Sequence, residues 1–255
     1  MGLNLAAGVA FEEHAPPGAT EAPLLLVHGA GGTHVHWPGA LRRLPGRRVI
    51  AVDLPGHGAS PPPGERAVPA YARRLVDLLD ALGIARAVVG GHSMGGAIAL
   101  TLALEAPGRV AGLLLVGTGA RLRVVPAIVQ AWADPARAGE LASAAAGFSF
   151  GSGAAPELLR VFAEGMAAVA PGVVHGDFTA CDAFDVMERL RAIRAPARIV
   201  VGAEDRLTPP KYSTFLRASL PGDGLLVVPG AGHMVTWEAP DAILGEAGLL
   251  LAGIS

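Results

Sequence analysis

The stretch "GGHSMGG", residues 90–96, places one serine among glycines where the apolar run "RAVV" gives way to "AIALTLALEA". The first run reads as a buried strand and the second as a helix, so the serine stands on the turn between them. "GHSMG" fits G-x-S-x-G, a pattern with a physical reason. A strand-to-helix turn this tight strains the backbone of its central residue, and the flanking positions must be small for the chains to pass. The helix that follows aims its first free N–H groups at the reacting centre, where negative charge develops. A fold with this turn needs a strand that feeds a helix, and the rest of the chain repeats that arrangement.

"VAFEEH" (9–14), "LLLV" (24–27), "RRVIAVD" (47–53), "ARAVVGG" and "RVAGLLLVGTG" read as strands. "AYARRLVDLLDALG" (70–83) has helical periodicity with Gly83 as its stop, and a second helix spans Met94–Ala106. From about 120 to 195 the rhythm changes. The segment is rich in Ala and Arg, with helical stretches "AIVQAW", "ELLRVFAEGMAAV" and "AFDVMERLRAI" and no strong strand. Alternation then returns in "ARIVVGAED", "KYSTFLRASL", "GLLVVPGAGH" and "DAILGEAGLLLAG". Short connections between alternating strands and helices imply an α/β fold with a mostly parallel, doubly wound sheet. The expected division is a core of residues 1–119 and 196–255, with residues 120–195 as a helical insertion. At 255 residues and 51% hydrophobic content the chain has ample material for one such core.

A serine hydroxyl needs a base, and the base needs an acid to orient it. "VVGAEDRLTP" (200–209) puts carboxylates just past a strand, and "VVPGAGHMV" (227–235) puts a histidine after the next one. The order is Ser93, Asp205, His233, each at the carboxyl end of a strand, where ligands bind in open α/β sheets. The backbone N–H of Met94, directly after the serine, is the expected first donor to an oxyanion.

Together "HGAGG" (28–32), "DLPGHGAS" (53–60), "GHSMGG", "GAEDRLTP" and "GAGH" resemble the oxyanion loop, Asp-x-x-Gly-x-Gly turn, nucleophile elbow, acid loop and histidine loop of the α/β-hydrolase fold superfamily. The small, capped serine hydrolases and esterases are the type it looks like. The resemblance implies a nucleophilic Ser93, a general base His233 and an acid Asp205, which matches the family's G-x-x-D at Gly202–Asp205. It implies Ala30 as the second oxyanion donor, and residues 120–195 as a cap over the catalytic face. Serine where dehalogenases and epoxide hydrolases carry aspartate favours acyl chemistry. The expected reaction is hydrolysis of small, mostly apolar carboxylic esters without a cofactor. Carbon–carbon bond hydrolysis or lyase chemistry, lactonase or perhydrolase activity, and a ligand-sensing role are the alternatives. For the carbon–carbon case Arg121, Arg123 and Arg160 are the candidate cap arginines.

Other readings of the same residues are weaker. Glu204 is expected to be a solvated neighbour of Asp205, and Asp53 to hold loop geometry. His28, His34 and His36 lack the Cys or acid partners of a zinc site, so no metal is expected. His34, His36 and Trp37 are expected to line or border the pocket mouth, with Trp132, Phe162 and Met234 as further pocket residues. The lone Cys181 has no His-acid set around it. "GAGG" fails as a dinucleotide fingerprint because residue 34 is histidine, and Lys211 follows Pro210 rather than a P-loop glycine. A net charge of −2 with 16% charged residues does not suit a nucleic-acid binder. The uncharged run Ala87–Leu104 is interrupted by Gly90, Gly91, His92, Ser93, Gly95 and Gly96 and is not read as a membrane span. The N-terminus lacks the basic region of a signal peptide, and Ala6 breaks the myristoylation pattern, so a cytoplasmic monomer or homodimer is expected.

Overall fold

The structure is a computed structural model that describes residues 2–222 and 224–254. Its strands are β1 (Asn4–Ala6), β2 (Val9–His14), β3 (Leu24–Val27), β4 (Val49–Asp53), β5 (Ala87–His92), β6 (Val110–Val116), β7 (Ala197–Gly202) and β8 (Gly224–Val228). The helices are α1 (Gly39–Arg42), α2 (Val68–Ala81), α3 (Met94–Glu105), α4 (Pro126–Ala131), α5 (Ala138–Ser149), α6 (Pro156–Ala168), α7 (Pro171–Ala183), α8 (Pro210–Ser219), α9 (Val235–Glu238) and α10 (Pro240–Ala252).

All eight strands form one sheet in the order β1-β2-β4-β3-β5-β6-β7-β8. Only β1 and β2 run antiparallel to their neighbours. β3, β5 and β6 are buried along their whole length, which explains their unbroken apolar sequences: helices cover both faces. Successive strand residues alternate between two cores. Leu25, Val27, Val89, Leu113 and Leu115 pack with α2 and α3, whereas Leu24, Leu26, Val88, Leu114 and Val116 pack with α1 and α10. Helix α2 buries Val68, Tyr71, Ala72, Leu75, Leu78 and Leu79, one stripe at helical spacing, while α3 is buried on nearly every side.

The strand order places β4 on one flank of β3 and β5 on the other. The winding therefore reverses between β3 and β5, and their carboxyl ends open a crevice. "HGAGG" leaves β3 there and "HSMGG" leaves β5. The approach is close enough to require glycine. A Cβ at Gly95 would lie 2.2 Å from the Val27 carbonyl oxygen, and one at Gly91 2.2 Å from that of Gly95. These obstacles are backbone and cannot swing aside. Gly95→Ala is expected to cost about 3 kcal/mol of stability, the upper end for overpacking a tight core. Denaturant unfolding measures it, and an unchanged midpoint would refute this account of the turn.

Helices α4 to α7 lie between β6 and β7, where sequence periodicity predicts a helical insertion. They have a core of their own, which includes Trp132, Phe150, Phe162, Met166, Val174 and Met234. "AFDVMERLRAI" departs from the helix expected of it. Phe184 and Val186 exchange backbone hydrogen bonds with Leu122 and Ala120 (3.3 and 2.8 Å), and only Met187–Ala192 coils, as a 3₁₀ turn. Long-range pairing overrides local helix propensity here. No single described helix is long and apolar enough to cross a membrane, and the run Ala87–Leu104 is divided between β5 and α3.

Candidate active site

Ser93 begins α3 with φ 53° and ψ −118°, the strained elbow that the sequence calls for. Such a backbone costs on the order of 1–3 kcal/mol and persists only when its surroundings hold it. Here the Ser93 N–H donates to Val116 O (2.9 Å), and its carbonyl accepts from Gly96 N (2.9 Å) and Thr118 Oγ1 (2.8 Å). The side chain is half-buried at the end of the crevice.

Asp205, after β7, is buried and saturated with donors. Its Oδ1 accepts from the N–H of Leu207 (2.9 Å) and Thr208 (2.8 Å). Its Oδ2 accepts from Thr208 Oγ1 (2.8 Å) and His233 Nδ1 (2.9 Å). Burial raises the carboxyl pKa, but the His233 charge and these hydrogen bonds outweigh it and hold the group below the usual range. The acid is therefore ionised, keeps the proton of His233 on Nδ1 and leaves Nε2 as the basic nitrogen.

His92 ties that histidine to the elbow. Burial, then the neighbouring His233, lowers its pKa to about 3, so the ring is neutral. Its Nε2–H donates to His233 O at 3.0 Å, with the two rings 4.8 Å apart. Gly117 lies at the same junction: a Cβ there would be 3.3 Å from His233 O and 3.4 Å from both Asp205 Oδ2 and His92 Nε2. The fold thus joins Asp205 to His233 directly and sets His92, the residue before Ser93, against the His233 backbone. Sequence reasoning missed the supporting roles of His92 and Thr208, although each directly adjoins a motif position.

The loop after β3 presses on the serine, since a Cβ at Gly29 would lie 3.1 Å from Ser93 Cβ. His28 organises this loop. Burial, then the charge of His57, lowers its pKa to about 3. Its Nε2 accepts from Leu54 N (2.9 Å), and its Nδ1–H donates to Gly29 O (2.7 Å). Among the described residues no protein acceptor takes the N–H of Ala30 or Met94, the two expected oxyanion donors. Both sit next to residues that pack at the elbow.

The expected pocket residues divide. The half-buried His34 bonds Asp53 Oδ1 through both its N–H and Nδ1 at 2.8 Å, and Asp53 Oδ2 accepts from Ala59 N, so Asp53 clasps the turn and the oxyanion loop together. Trp37 departs from the expected pocket mouth. The 3₁₀ turn His34–His36 directs it into the core with Leu26 and Leu41, where it is buried. Trp132 stays within the inserted helices beside Phe178. Phe162 and Met234 share that cluster, and Phe162 stacks on the buried His36 at 5.8 Å. Trp237 and Phe150 complete the aromatic group, which sequence reasoning did not assemble. The three His residues of the metal reading separate to different partners, and among the described residues no His, Cys, Asp or Glu group is arranged to hold a metal ion. Glu204 accepts from Ser152, away from His233. Burial pushes the Cys181 thiol up, which leaves it unreactive as a nucleophile.

The chain matches the family model described as the alpha/beta hydrolase fold over residues 22–240. It belongs to that family. Among curated relatives of this α/β-hydrolase, the dihydrolipoyllysine-residue acetyltransferase component of the acetoin cleaving system of Pseudomonas putida is 32% identical. That match takes in 87% of this chain, which spans only 61% of the relative's length. A putative carbamate hydrolase of Variovorax paradoxus is 33% identical, covering 88% of each chain. A 2-hydroxy-6-oxo-6-phenylhexa-2,4-dienoate hydrolase of Burkholderia cepacia is 28% identical, over 91% of this chain and 88% of its own. Among solved structures, a thermophilic esterase superposes with a TM-score of 0.80 at 30% identity, covering 95% of this α/β-hydrolase and 92% of the esterase.

Proposed function

We propose that this α/β-hydrolase is a serine esterase acting on small, mostly apolar carboxylic esters. The observation that carries the reading is the buried Asp205–His233 pair, joined at 2.9 Å and bound through His92 to the strained elbow of Ser93. Ser93 Oγ attacks the ester carbonyl carbon as its proton passes to His233 Nε2. The tetrahedral oxyanion is received by the Ala30 and Met94 N–H groups. Collapse breaks the bond to the alcohol oxygen, which takes the proton from His233. Water then attacks the acyl-enzyme, giving its proton to His233, and the carboxylic acid leaves as Ser93 recovers its hydrogen. The helices α4 to α7 act as the cap, and Phe162 and Met234 form its apolar side of the pocket.

Carbon–carbon bond hydrolysis finds less support. Arg121 and Arg123 pair with Asp185, and Arg160 with Glu157 and Glu164, all on the surface rather than aimed at the serine. The direct test is a fluorophosphonate, with the adduct located by peptide mass spectrometry beside a panel of short and long p-nitrophenyl esters. Labelling of Ser93 together with turnover is expected. Labelling without turnover would remove the ester assignment, and an unlabelled Ser93 would remove the nucleophile.

A further inference from the structure

Asp177 is a fully buried carboxylate that the reaction above does not use. It sits on α7, outside every motif of the sequence. Its Oδ1 accepts from Tyr71 OH (2.7 Å) of helix α2. Its Oδ2 accepts from His57 Nε2 (2.8 Å) and from the Gly31 N–H of the oxyanion loop (2.9 Å). His57 Nδ1 donates to Pro55 O (3.1 Å), so both ring nitrogens face acceptors. Burial works against a charge on that ring, but Asp177 outweighs it and the His57 pKa is raised. The result is a buried, hydrogen-bonded His57–Asp177 pair that joins α7 to the "PGHG" turn, with an oxyanion-loop amide as its third partner.

That amide has a particular position. Gly31 has φ +62°, so the loop reverses there, and Met166 from α6 packs so closely that a Cβ would lie 2.9 Å from its Cε. Two successive peptide planes are then fixed from opposite sides. His28 Nδ1–H and the Gly32 N–H hold the Gly29 carbonyl, at 2.7 and 3.1 Å. In a trans peptide the N–H points opposite to the carbonyl, so these bonds aim the Ala30 N–H away from His28. Asp177 fixes the next plane through Gly31. That plane is the middle of the turn closed by the Gly32–Gly29 bond; without Asp177 the turn is free to open, and the Gly29–Ala30 plane that carries the donor loses the Gly32 N–H that helps hold it.

We propose that Asp177 is a positioning residue for the oxyanion hole: through the Gly31 N–H it holds closed the Gly29–Gly32 turn that sets the Gly29–Ala30 peptide, so docking of the inserted helices and assembly of the hole are one event. The inference rests on the esterase reading, and the experiment separates the two. In the full-length protein, fluorophosphonate labelling of wild-type Ser93 tests the reading. Asp177→Asn and Tyr71→Phe test the inference, through kcat and KM for a p-nitrophenyl ester and through the affinity of phenylboronic acid. The boronic acid forms a tetrahedral adduct on the serine and puts an oxygen in the hole.

Asp177→Asn is expected to lower kcat and boronate affinity by matching factors, on the order of 10- to 100-fold, as small misplacements of a catalytic donor do, with KM nearly unchanged. Tyr71→Phe is expected to move both in the same direction by less. A lower melting temperature with boronate affinity per folded molecule unchanged would assign Asp177 to stability alone and overturn the proposal. If Asp177→Asn does not fold, Tyr71→Phe decides by the same criterion. A wild-type protein unlabelled at Ser93 would overturn the esterase reading and the hole with it. A labelled wild type with unaltered boronate binding in the variants would overturn only the role of Asp177.

Discussion

Ser93→Ala is expected to slow p-nitrophenyl ester turnover by about 10⁴-fold or more while the protein stays folded. The size follows from the single function of the side chain. The bonds that hold the elbow use the backbone N–H and carbonyl of residue 93, which alanine keeps. Alanine meets the same unfavourable φ of 53° as serine, so the strain barely changes. What disappears is the oxygen that attacks. Turnover and a thermal melt on the same sample measure both halves of the claim. Retained turnover with a native melting temperature would mean that another group performs the reaction.

Asp205→Asn is expected to lower kcat by about 10³- to 10⁴-fold, because every partner of this carboxylate is a donor. An amide offers one acceptor oxygen and one NH₂. Whichever way it turns, the NH₂ faces donors: the backbone N–H pair of Leu207 and Thr208, or the Thr208 hydroxyl and His233 Nδ1. His233 can relieve the second conflict only by moving its proton to Nε2, which removes the base. The pH dependence of stability changes too. Asp205 is held below the usual carboxylate range, so its contribution is present above that range and lost as pH falls through its folded value. The variant should lack this part of the acid limb. Equal kcat in variant and wild type would dismiss Asp205 as the orienting acid.

The parts of the site that were readable from sequence are those whose chemistry forces a local pattern. The elbow needs Gly91 and Gly95 because Val27 and Gly95 backbone atoms stand where side chains would go. Strands covered on both faces need unbroken apolar runs, and β3, β5 and β6 have them. What stayed hidden depends on direction and distance. Trp37 follows the oxyanion loop in sequence, yet one turn of 3₁₀ helix sends its ring below the sheet rather than toward Ser93. His34 was equally near in sequence and is occupied by Asp53. Helix α7 carries Gly172 and Gly176 and a run of β-branched residues, which weaken the helical signal. Asp177 lies in no motif, and its partner Gly31 is 146 residues away.

The pinch of backbone hydrogen bonds at Ala120–Leu122 and Phe184–Val186 has an evolutionary corollary. The helical excursion leaves the sheet after β6 and returns to its immediate neighbour β7 through that narrow neck. The serine, acid and histidine all lie outside it in sequence. A segment joined to the sheet in this way can change in length or content without shifting the strands that position Ser93, Asp205 and His233. If Asp177 positions the oxyanion loop as proposed, a replacement segment must still deliver an acceptor to the Gly31 amide. Natural exchange of this segment would then be constrained less by its overall shape than by one oxygen atom on its inner surface.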